Sequence, residues 1–323
     1  MQIFSKDKIY DFMGKSVPFI TLSIIMIIAS YVLLFSRGLN YGIDFAGGTI
    51  VQVKYEGPAP IKKMREQISV DKMFAKASIT EFGSPNEVVI RFMSSSDSVQ
   101  EDLGDKIGEL LKGTGNFKVR RVDIVGPKVG GELREKGIMA MVVSILIILI
   151  YITIRFEWRF ALASIMALIH DISITIGAIV FFKVDVNLDI LAALLTLLGY
   201  SLNDTIIVFD RIREEIVTTK QRDLASLINN SVSKTLSRTT LTSLTTFFVV
   251  LTLYLFGGDI IKPFSFTLLV GVIVGTYSSI FIASPFLIWL GFKIDDFRKN
   301  LAEKEKRKRE KEKLRQQFEQ GVM

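Results

Sequence analysis

Residues 137–182, GIMAMVVSILIILIYITIRFEWRFALASIMALIHDISITIGAIVFF, decide the fold of this chain. Two apolar stretches, 137–155 and 160–182, meet at a short turn, 155–159, that has an arginine at each end. Each stretch is close to the roughly 20 residues that a helix needs to cross the hydrocarbon of a bilayer. The sequence therefore predicts two membrane-spanning helices joined by a basic turn.

Four more stretches of this kind lie on either side of the pair. Three carry almost no charge, whereas 188–209 contains Asp189, Asn203 and Asp204. With 49% hydrophobic residues, the 323-residue chain has the composition of a membrane protein. We predict six transmembrane helices, the last five forming a bundle over 137–292; their bounds are 17–35, 137–155, 160–182, 188–209, 236–256 and 264–290.

The basic residues predict the orientation. They lie in the N-terminus (1–16), the turn at 155–159, the segment 211–234 and the charged tail (293–323). Short loops rich in Lys and Arg stay cytoplasmic, so we expect both termini in the cytoplasm, 36–136 outside, and location in the cell inner membrane. This topology accounts for the net charge of +7. We expect membrane lipid, and no nucleic acid, beside the basic segments.

Segment 36–136 has the pattern of a small folded domain. Strands are predicted at 48–55, 77–82, 87–92 and 117–125, because apolar and polar residues alternate there. Two amphipathic helices separate them, one after the first strand and one before the last. The order βαββαβ predicts a ferredoxin-like α+β domain between the first two transmembrane helices.

Composition excludes several kinds of chemistry. The chain has no cysteine and one histidine, so we expect no disulfide, no reactive thiolate and no metal site. It also has no G-x-x-x-x-G-K-S/T motif, which argues against ATP hydrolysis. We predict that the protein is not an enzyme and requires no cofactor.

Ionisable groups interrupt the fourth and fifth spans. Asp204 lies about six residues inside one end of the fourth span, with Tyr200 and Asn203 assigned to the same helix face. Arg238, followed by Thr242, lies near the start of the fifth span, which runs in the opposite direction. Asp204 and Arg238 can therefore reach a similar depth, and we expect an ion pair between them.

His170 and Asp171 lie at mid-depth in the third span, and the unperturbed histidine titrates near neutrality. A charged side chain in hydrocarbon costs a few kcal/mol, so one that persists is paired, faces a cavity or has a function. We interpret the polar groups of these spans as a proton relay. The alternative is a static set of buried pairs and hydrogen bonds that lock the bundle.

Glycines mark two further sites. Gly271 and Gly275 are four residues apart in the sixth span, a spacing typical of close helix packing. Asp44, Gly47 and Gly48 follow the first span, where glycine permits tight turns. A hinge and a plain turn are both consistent with the second site.

Several motifs together are similar to one known family, the SecF family of the bacterial Sec protein translocase. They cover nearly the whole chain, and the one in the fourth span is the most specific. The matching segments are YGIDFAGG (41–48), VGP (125–127), Glu132-Leu133, ALIHD (167–171), LTLLGYSLNDT (195–205), DRIRE (210–214), SRT (237–239) and YSSIFIASP (277–285).

The resemblance implies a function and partners. SecF subunits join SecD in a pseudo-twofold bundle like that of the resistance-nodulation-division exporters, and associate with YajC and the SecYEG channel. The family's proton-coupling acid and arginine match Asp204 and Arg238. The implied role is use of the proton motive force, and hence of protons, to promote preprotein translocation and release. Two alternatives remain: half of a proton-driven small-molecule exporter, and a non-energetic scaffold of the translocase.

Overall fold

The structure, a computed structural model, describes residues 8–75, 77–82, 84–93 and 100–319. The elements, in chain order, are α1 (Ser16–Arg37), α2 (Ile43–Ala46), β1 (Gly48–Tyr55), α3 (Ile61–Ile68), β2 (Ser78–Phe82), β3 (Ser84–Phe92), α4 (Gln100–Leu110), β4 (Phe117–Val125), α5 (Pro127–Arg155), α6 (Trp158–Phe181), α7 (Leu188–Thr218), α8 (Leu224–Phe256), α9 (Gly258–Ser278), a π-helical turn (Ser279–Ala283), α10 (Ser284–Trp289) and α11 (Ile294–Glu319).

Within the described residues, six helical segments are long and apolar enough to span a membrane, as predicted. They are α1, α5, α6, α7, α8 and the continuous segment Ile260–Trp289. The chain is therefore a multi-pass membrane protein with a small α+β domain between its first two spans.

The prediction that 211–234 forms a loop is wrong, because α7 and α8 both extend well beyond their apolar stretches into this segment. α7 ends at Thr218 and α8 begins at Leu224, which leaves only residues 219–223 between them. The Asp223 carboxylate accepts a hydrogen bond from the Ser226 backbone N–H at 2.9 Å. This side-chain cap starts α8 twelve residues before the predicted span, and hydropathy alone does not report it.

The four strands form one antiparallel sheet in the order β2-β3-β1-β4, which confirms the ferredoxin-like prediction. β1 and β4 pair along their whole length with one bulge. Gln52 is opposite Arg121, and Val53 is opposite Val119, so Arg120 is the extra residue.

One face of the sheet carries the domain core. Val51, Val53 and Tyr55 of β1 point to this face, with Gln52 and Lys54 between them, as the alternating pattern predicts. α3 and α4 cover it with an apolar stripe each. The buried helix side chains in this core are Met64, Ile68, Leu103 and Ile107.

α6 lies at the centre of the membrane bundle. It contacts α1, α5, α7 and α9, and 67% of its most apolar 18-residue window is buried. Gly177 makes the contact with α1 possible, because a Cβ there would lie 2.0 Å from Ser30 Oγ. α5 and α8 are much more exposed, with 11% and 17% of the corresponding windows buried. Their outer faces are therefore free to contact lipid or another subunit.

The charged tail forms the helix α11 and is anchored to the bundle at its start. The Arg298 guanidinium donates hydrogen bonds to the carbonyls of Ile216 (2.9 Å), Thr219 (2.6 Å) and Gln221 (3.1 Å). These carbonyls lie at the C-terminal end of α7, where backbone acceptors have no intrahelical donor. The cation of α11 therefore caps α7.

Candidate functional site

Asp204 is buried at the contact of α7 with α8. Its side chain is 1% exposed, and Oδ2 accepts a hydrogen bond from Ser243 Oγ of α8 at 3.0 Å. Ser243 Oγ in turn lies 2.7 Å from Thr276 Oγ1 of α9. Asp204 therefore joins three helices through two hydroxyl groups.

Arg238 does not form the expected ion pair with Asp204. α8 turns Thr239 and Ser243 towards the bundle, and Arg238 lies on its exposed surface. Ser243 follows Arg238 by five residues, which places it about 140° further around the helix and about 7.5 Å along it. Residue spacing alone could match the depths of Asp204 and Arg238 but could not fix the rotation of α8.

Among the described residues, the others expected beside Asp204 do not form a hydrogen bond with it. Asn203 is exposed on the outer surface of α7, although it precedes buried Asp204 directly. The Tyr200 hydroxyl is buried and has no hydrogen-bond partner among the described residues. Thr242 Oγ1 donates to the carbonyls of its own helix at Arg238 (3.1 Å) and Thr239 (2.9 Å). The assignment of Asn203 to the same face as Asp204 is thus wrong, whereas the buried hydroxyl of Tyr200 is consistent with its assignment.

His170 and Asp171 form a second buried polar cluster. His170 Nδ1 lies 2.8 Å from Asp171 Oδ1, and His170 Nε2 lies 3.0 Å from Ser23 Oγ of α1. The other carboxylate oxygen, Oδ2, accepts hydrogen bonds from Ser201 Oγ of α7 (2.5 Å) and Ser278 Oγ of α9 (2.8 Å). One pair of adjacent residues on α6 is therefore bonded to three other helices.

Hydrogen-bond donors and acceptors in this cluster fix its proton count. The Tyr277 hydroxyl donates to the Phe19 carbonyl at 2.5 Å, so Ser23 Oγ must donate to the Tyr277 oxygen, 2.9 Å away. His170 Nε2 must then donate to Ser23, and a proton must also lie between His170 Nδ1 and Asp171. The pair consequently holds one shared proton, either as imidazolium and carboxylate or as neutral imidazole and carboxylic acid.

The two clusters are neighbours. Ser201 and Asp204 are less than one turn apart on α7, and Thr276 directly precedes Tyr277 and Ser278 on α9. The π-helical turn at Ser279–Ala283 begins immediately afterwards. π-turns inside α-helices are frequent at functional sites. Residue types reveal each carboxylate in the sequence, but the serines that donate hydrogen bonds to them, Ser201, Ser278 and Ser243, carry no sequence signal of their own.

Gly271 and Gly275 lie where α9 contacts α7. A Cβ on Gly271 would come within 2.5 Å of Leu197 Cδ1, and one on Gly275 within 3.1 Å of Ser201 Cβ. These glycines bring the α9 backbone close to the segment of α7 that carries Ser201 and Asp204.

The Asp44 segment joins the α+β domain to the bundle. Asp44 Oδ2 accepts a hydrogen bond from the Leu188 backbone N–H at 3.0 Å, and so caps the first turn of α7. Gly47 has φ +80°, and a Cβ there would lie 2.9 Å from the Pro127 backbone. A Cβ on Gly48 would lie 2.6 Å from the Phe92 carbonyl oxygen. The segment is closely packed, and its glycines are required by space as well as by backbone conformation.

Both connections of the domain run side by side through this joint. Gly48 at the start of β1 pairs with Val125 at the end of β4, and α5 begins two residues later at Pro127. The first turn of α5 also contacts the joint, since a Cβ on Gly130 would lie 2.9 Å from the Phe45 carbonyl oxygen. A displacement of α5 or of the start of α7 would therefore be transmitted directly to the sheet.

Together, the fold and site define a six-span membrane protein, counted over the described residues, with acids buried between its helices and an α+β domain packed closely against two of them. The family model for "Protein export membrane protein SecD/SecF, C-terminal" matches residues 106–293, and the model for the "SecD/SecF GG Motif" matches residues 32–59. The chain belongs to the SecD/SecF family of protein export membrane proteins.

Relatives place the chain among the SecF subunits. It is 46% identical over 321 residues to the protein translocase subunit SecF of Helicobacter pylori, covering 99% of both chains. It is 38% identical over 301 residues to that of Escherichia coli O157:H7, covering 92% of this chain and 93% of the relative. The crystal structure of SecDF from Thermus thermophilus matches with a TM-score of 0.76 and 34% identity. That match covers 90% of this chain and 40% of the SecDF chain.

Proposed function

We propose that this chain is a proton-coupled subunit of the protein-export machinery, which acts with SecD in the cell inner membrane. It would use the proton motive force to promote preprotein translocation through the SecYEG channel and preprotein release, with YajC as an associated subunit. Both termini would be cytoplasmic, and the α+β domain would lie outside. The observation that carries the proposal is Asp204, an acid buried between α7 and α8, with an arginine, Arg238, on the exposed surface of α8.

The exposed polar residues support assembly with SecD. Arg238 and Asn203 lie on the outer surfaces of neighbouring spans, where contact with lipid would be costly. The SecDF neighbour is a longer chain, of which this protein matches 40%. A SecD subunit placed over α7 and α8 would remove these side chains from lipid.

The contacts of Asp204 suggest how proton binding could move the helices. Ser243 is the hydrogen-bond partner that the described residues give to Asp204. One hydroxyl can satisfy part of a carboxylic acid, whereas a buried carboxylate requires a cation or further donors. Loss of the proton would therefore favour a rotation or shift of α8 that brings Arg238 towards Asp204. Proton binding would release Arg238 again.

Such a cycle would be transmitted to the outer domain through α7. Asp204 lies on the helix whose first turn is capped by Asp44, next to Gly47 and Gly48. We propose that this joint converts a shift of α7 into a movement of the sheet. A potential of 100 mV supplies about 2.3 kcal/mol per proton, equivalent to a factor of about fifty in an equilibrium constant.

Asp204→Asn tests the proposal. The amide keeps the shape of the side chain and an acceptor for Ser243, so the variant should fold and copurify with SecD. It cannot exchange a proton, so preprotein export into inverted membrane vesicles should no longer increase when a proton motive force is applied. Asp189→Asn is the matched control, because Asp189 lies on the same helix and is exposed.

Undiminished stimulation of export in Asp204→Asn would refute proton coupling at this residue. The scaffold alternative makes a separate prediction. Replacing both Asp204 and Arg238 by leucine would leave export intact if the polar groups were structural, because buried ionic groups often tolerate apolar replacement. Under the proposal, the double variant loses stimulation as Asp204→Asn does.

A further inference from the structure

We propose that the cleft between α5, α7 and α11 binds the phosphate group of an anionic phospholipid. The cleft lies at the end of the bundle opposite the α+β domain, since α5 runs from Pro127 at the domain to Arg155 at the cleft. This inference does not depend on proton coupling at Asp204.

The cleft has room for a small anion and for part of its attached chain. It consists of two adjoining cavities of about 140 Å³ and about 350 Å³. Both are lined by Arg155, Arg213, Phe297 and Leu301, and Lys304 lines the smaller one. Three cationic side chains from three helices thus surround a space that also has apolar walls.

Positive charge in the cleft is only partly compensated. The guanidinium carbons of Arg155 and Arg213 both lie 5.0 Å from the centroid of the Phe156 ring, so two like charges share one aromatic side chain. Asp210 pairs with Arg155 at 3.2 Å. No carboxylate forms an ion pair with Arg213 within the described ranges, and the best polar contact of its Nη1 is the Arg155 carbonyl at 3.4 Å.

The other acids at the cleft are already paired. Glu157 pairs with Arg159 at 3.1 Å, and Glu214 pairs with Arg211 at 2.6 Å. The Arg213 Nε is buried and, among the described residues, has no hydrogen-bond partner. A buried donor of a charged group without an acceptor is costly. An anion held between Arg155 and Arg213 would accept hydrogen bonds from the guanidinium groups that line the cleft and would offset the two positive charges.

The surroundings of the cleft favour a lipid as the source of that anion. Ile154, Trp158 and Val217 flank it and are 82%, 50% and 57% exposed. Tryptophan is typical of the membrane interface, and exposed aliphatic side chains at this level contact acyl chains. Arginine forms paired hydrogen bonds with phosphate oxygens, and basic pockets between transmembrane helices bind anionic headgroups.

Native mass spectrometry of the full chain, purified in detergent and stripped of lipid, tests the proposal. The protein is titrated separately with phosphatidylglycerol, phosphatidylcholine and inorganic phosphate. We expect saturable binding of one phosphatidylglycerol in preference to phosphatidylcholine. Each cation near a phosphate contributes a factor of about five, so Arg213→Gln with Lys304→Gln should weaken that binding about 25-fold.

The matched control removes two charges elsewhere on α11. Arg307→Gln with Lys308→Gln has the same net charge as the test variant, but both residues are exposed further along the helix. The single variant Lys304→Gln should weaken binding about fivefold. It retains Arg213 and therefore still tests the proposal if the double variant misfolds. Equal losses in the test and control variants would overturn the proposal, as would binding without preference for phosphatidylglycerol. Saturable binding of inorganic phosphate at the same concentration would refute the assignment to lipid.

Discussion

Replacing Asp171 by leucine should destabilise the protein, whereas replacing it by asparagine should change its stability little. In Asp171→Asn, the amide oxygen can accept from Ser201 and Ser278, and the amide nitrogen can donate to His170 Nδ1. Every hydrogen bond of the cluster is then kept with a neutral imidazole. In Asp171→Leu, His170, Ser201 and Ser278 all lose their acceptor.

The size of the difference follows from these contacts. Hydrogen bonds between membrane helices average about 0.6 kcal/mol and reach about 1.7 kcal/mol. Loss of three should therefore destabilise Asp171→Leu by about 2 kcal/mol, which corresponds to a decrease in melting temperature of roughly 3 °C for a chain of 323 residues. Asp171→Asn should remain within about 1 kcal/mol of the unmodified protein.

Thermal unfolding of the purified full chain, in one detergent and at one protein concentration, measures both variants. Asp189→Leu is the control, because it removes an exposed carboxylate from the first turn of a span. Equal destabilisation by Asn and Leu would show that the cluster depends on a charge at Asp171. That result would contradict the expectation that an amide at this position keeps every hydrogen bond of the cluster.

Two further predictions concern the outer domain. Gly48→Ala should make the domain sensitive to protease in intact membranes, because φ of Gly48 is +154° and the new Cβ would lie 2.6 Å from the Phe92 carbonyl oxygen. Gly57→Ala is the control and should leave the domain resistant, since Gly57 has open space around it. The Met73 backbone N–H and the Lys106 ammonium hold the pKa of Asp71 below its ordinary value of 3.8. This contribution to stability is present above pH 4 and is lost as the pH falls through the lower folded-state pKa. Asp71→Asn should therefore reduce the stability of the domain at neutral pH, and should weaken the dependence of that stability on pH in the acidic range. Hydrogen exchange measures both effects. The control, exposed Asp105→Asn, should change neither the stability nor its pH dependence.

Sequence patterns predicted the elements well where one property dominated. Long apolar stretches, some of them interrupted by ionisable groups, predicted the six spans found in the described part of the chain, and the alternation of Val51, Val53 and Tyr55 with polar residues predicted the inward face of β1. Helix ends were less predictable, because the N-terminal part of α8 depends on the Asp223 cap and on tertiary contacts rather than on hydropathy.

The site was predictable in its residues but not in its contacts. Ionisable groups within apolar stretches identified Asp204, Arg238, His170 and Asp171, since their cost in a membrane makes them conspicuous. Their pairing depends on the rotation of each helix about its axis. The pattern of α8 left that rotation undetermined, because hydroxyl groups occur on several of its faces and bond their own backbone, as Thr242 does.

The two buried acids, Asp171 and Asp204, differ in the number of hydrogen bonds that hold them and in the number of helices that those bonds join. Both oxygens of Asp171 have hydrogen-bond partners, drawn from α6, α7 and α9, and His170 extends the cluster to α1. Any movement among these helices would break several bonds together, so the cluster is suited to hold them in one arrangement. Asp204 has one hydroxyl partner, on the exposed helix α8. Moving the α8 segment around Ser243 would break its bonds to Asp204 and to Thr276, whereas nearer the start of α8 Lys234 and Asn230 remain bonded to Glu215 of α7. A proton-driven rearrangement would therefore shift α8 relative to α1, α6, α7 and α9 moving as one unit, and the α7 part of that unit carries the Asp44 joint.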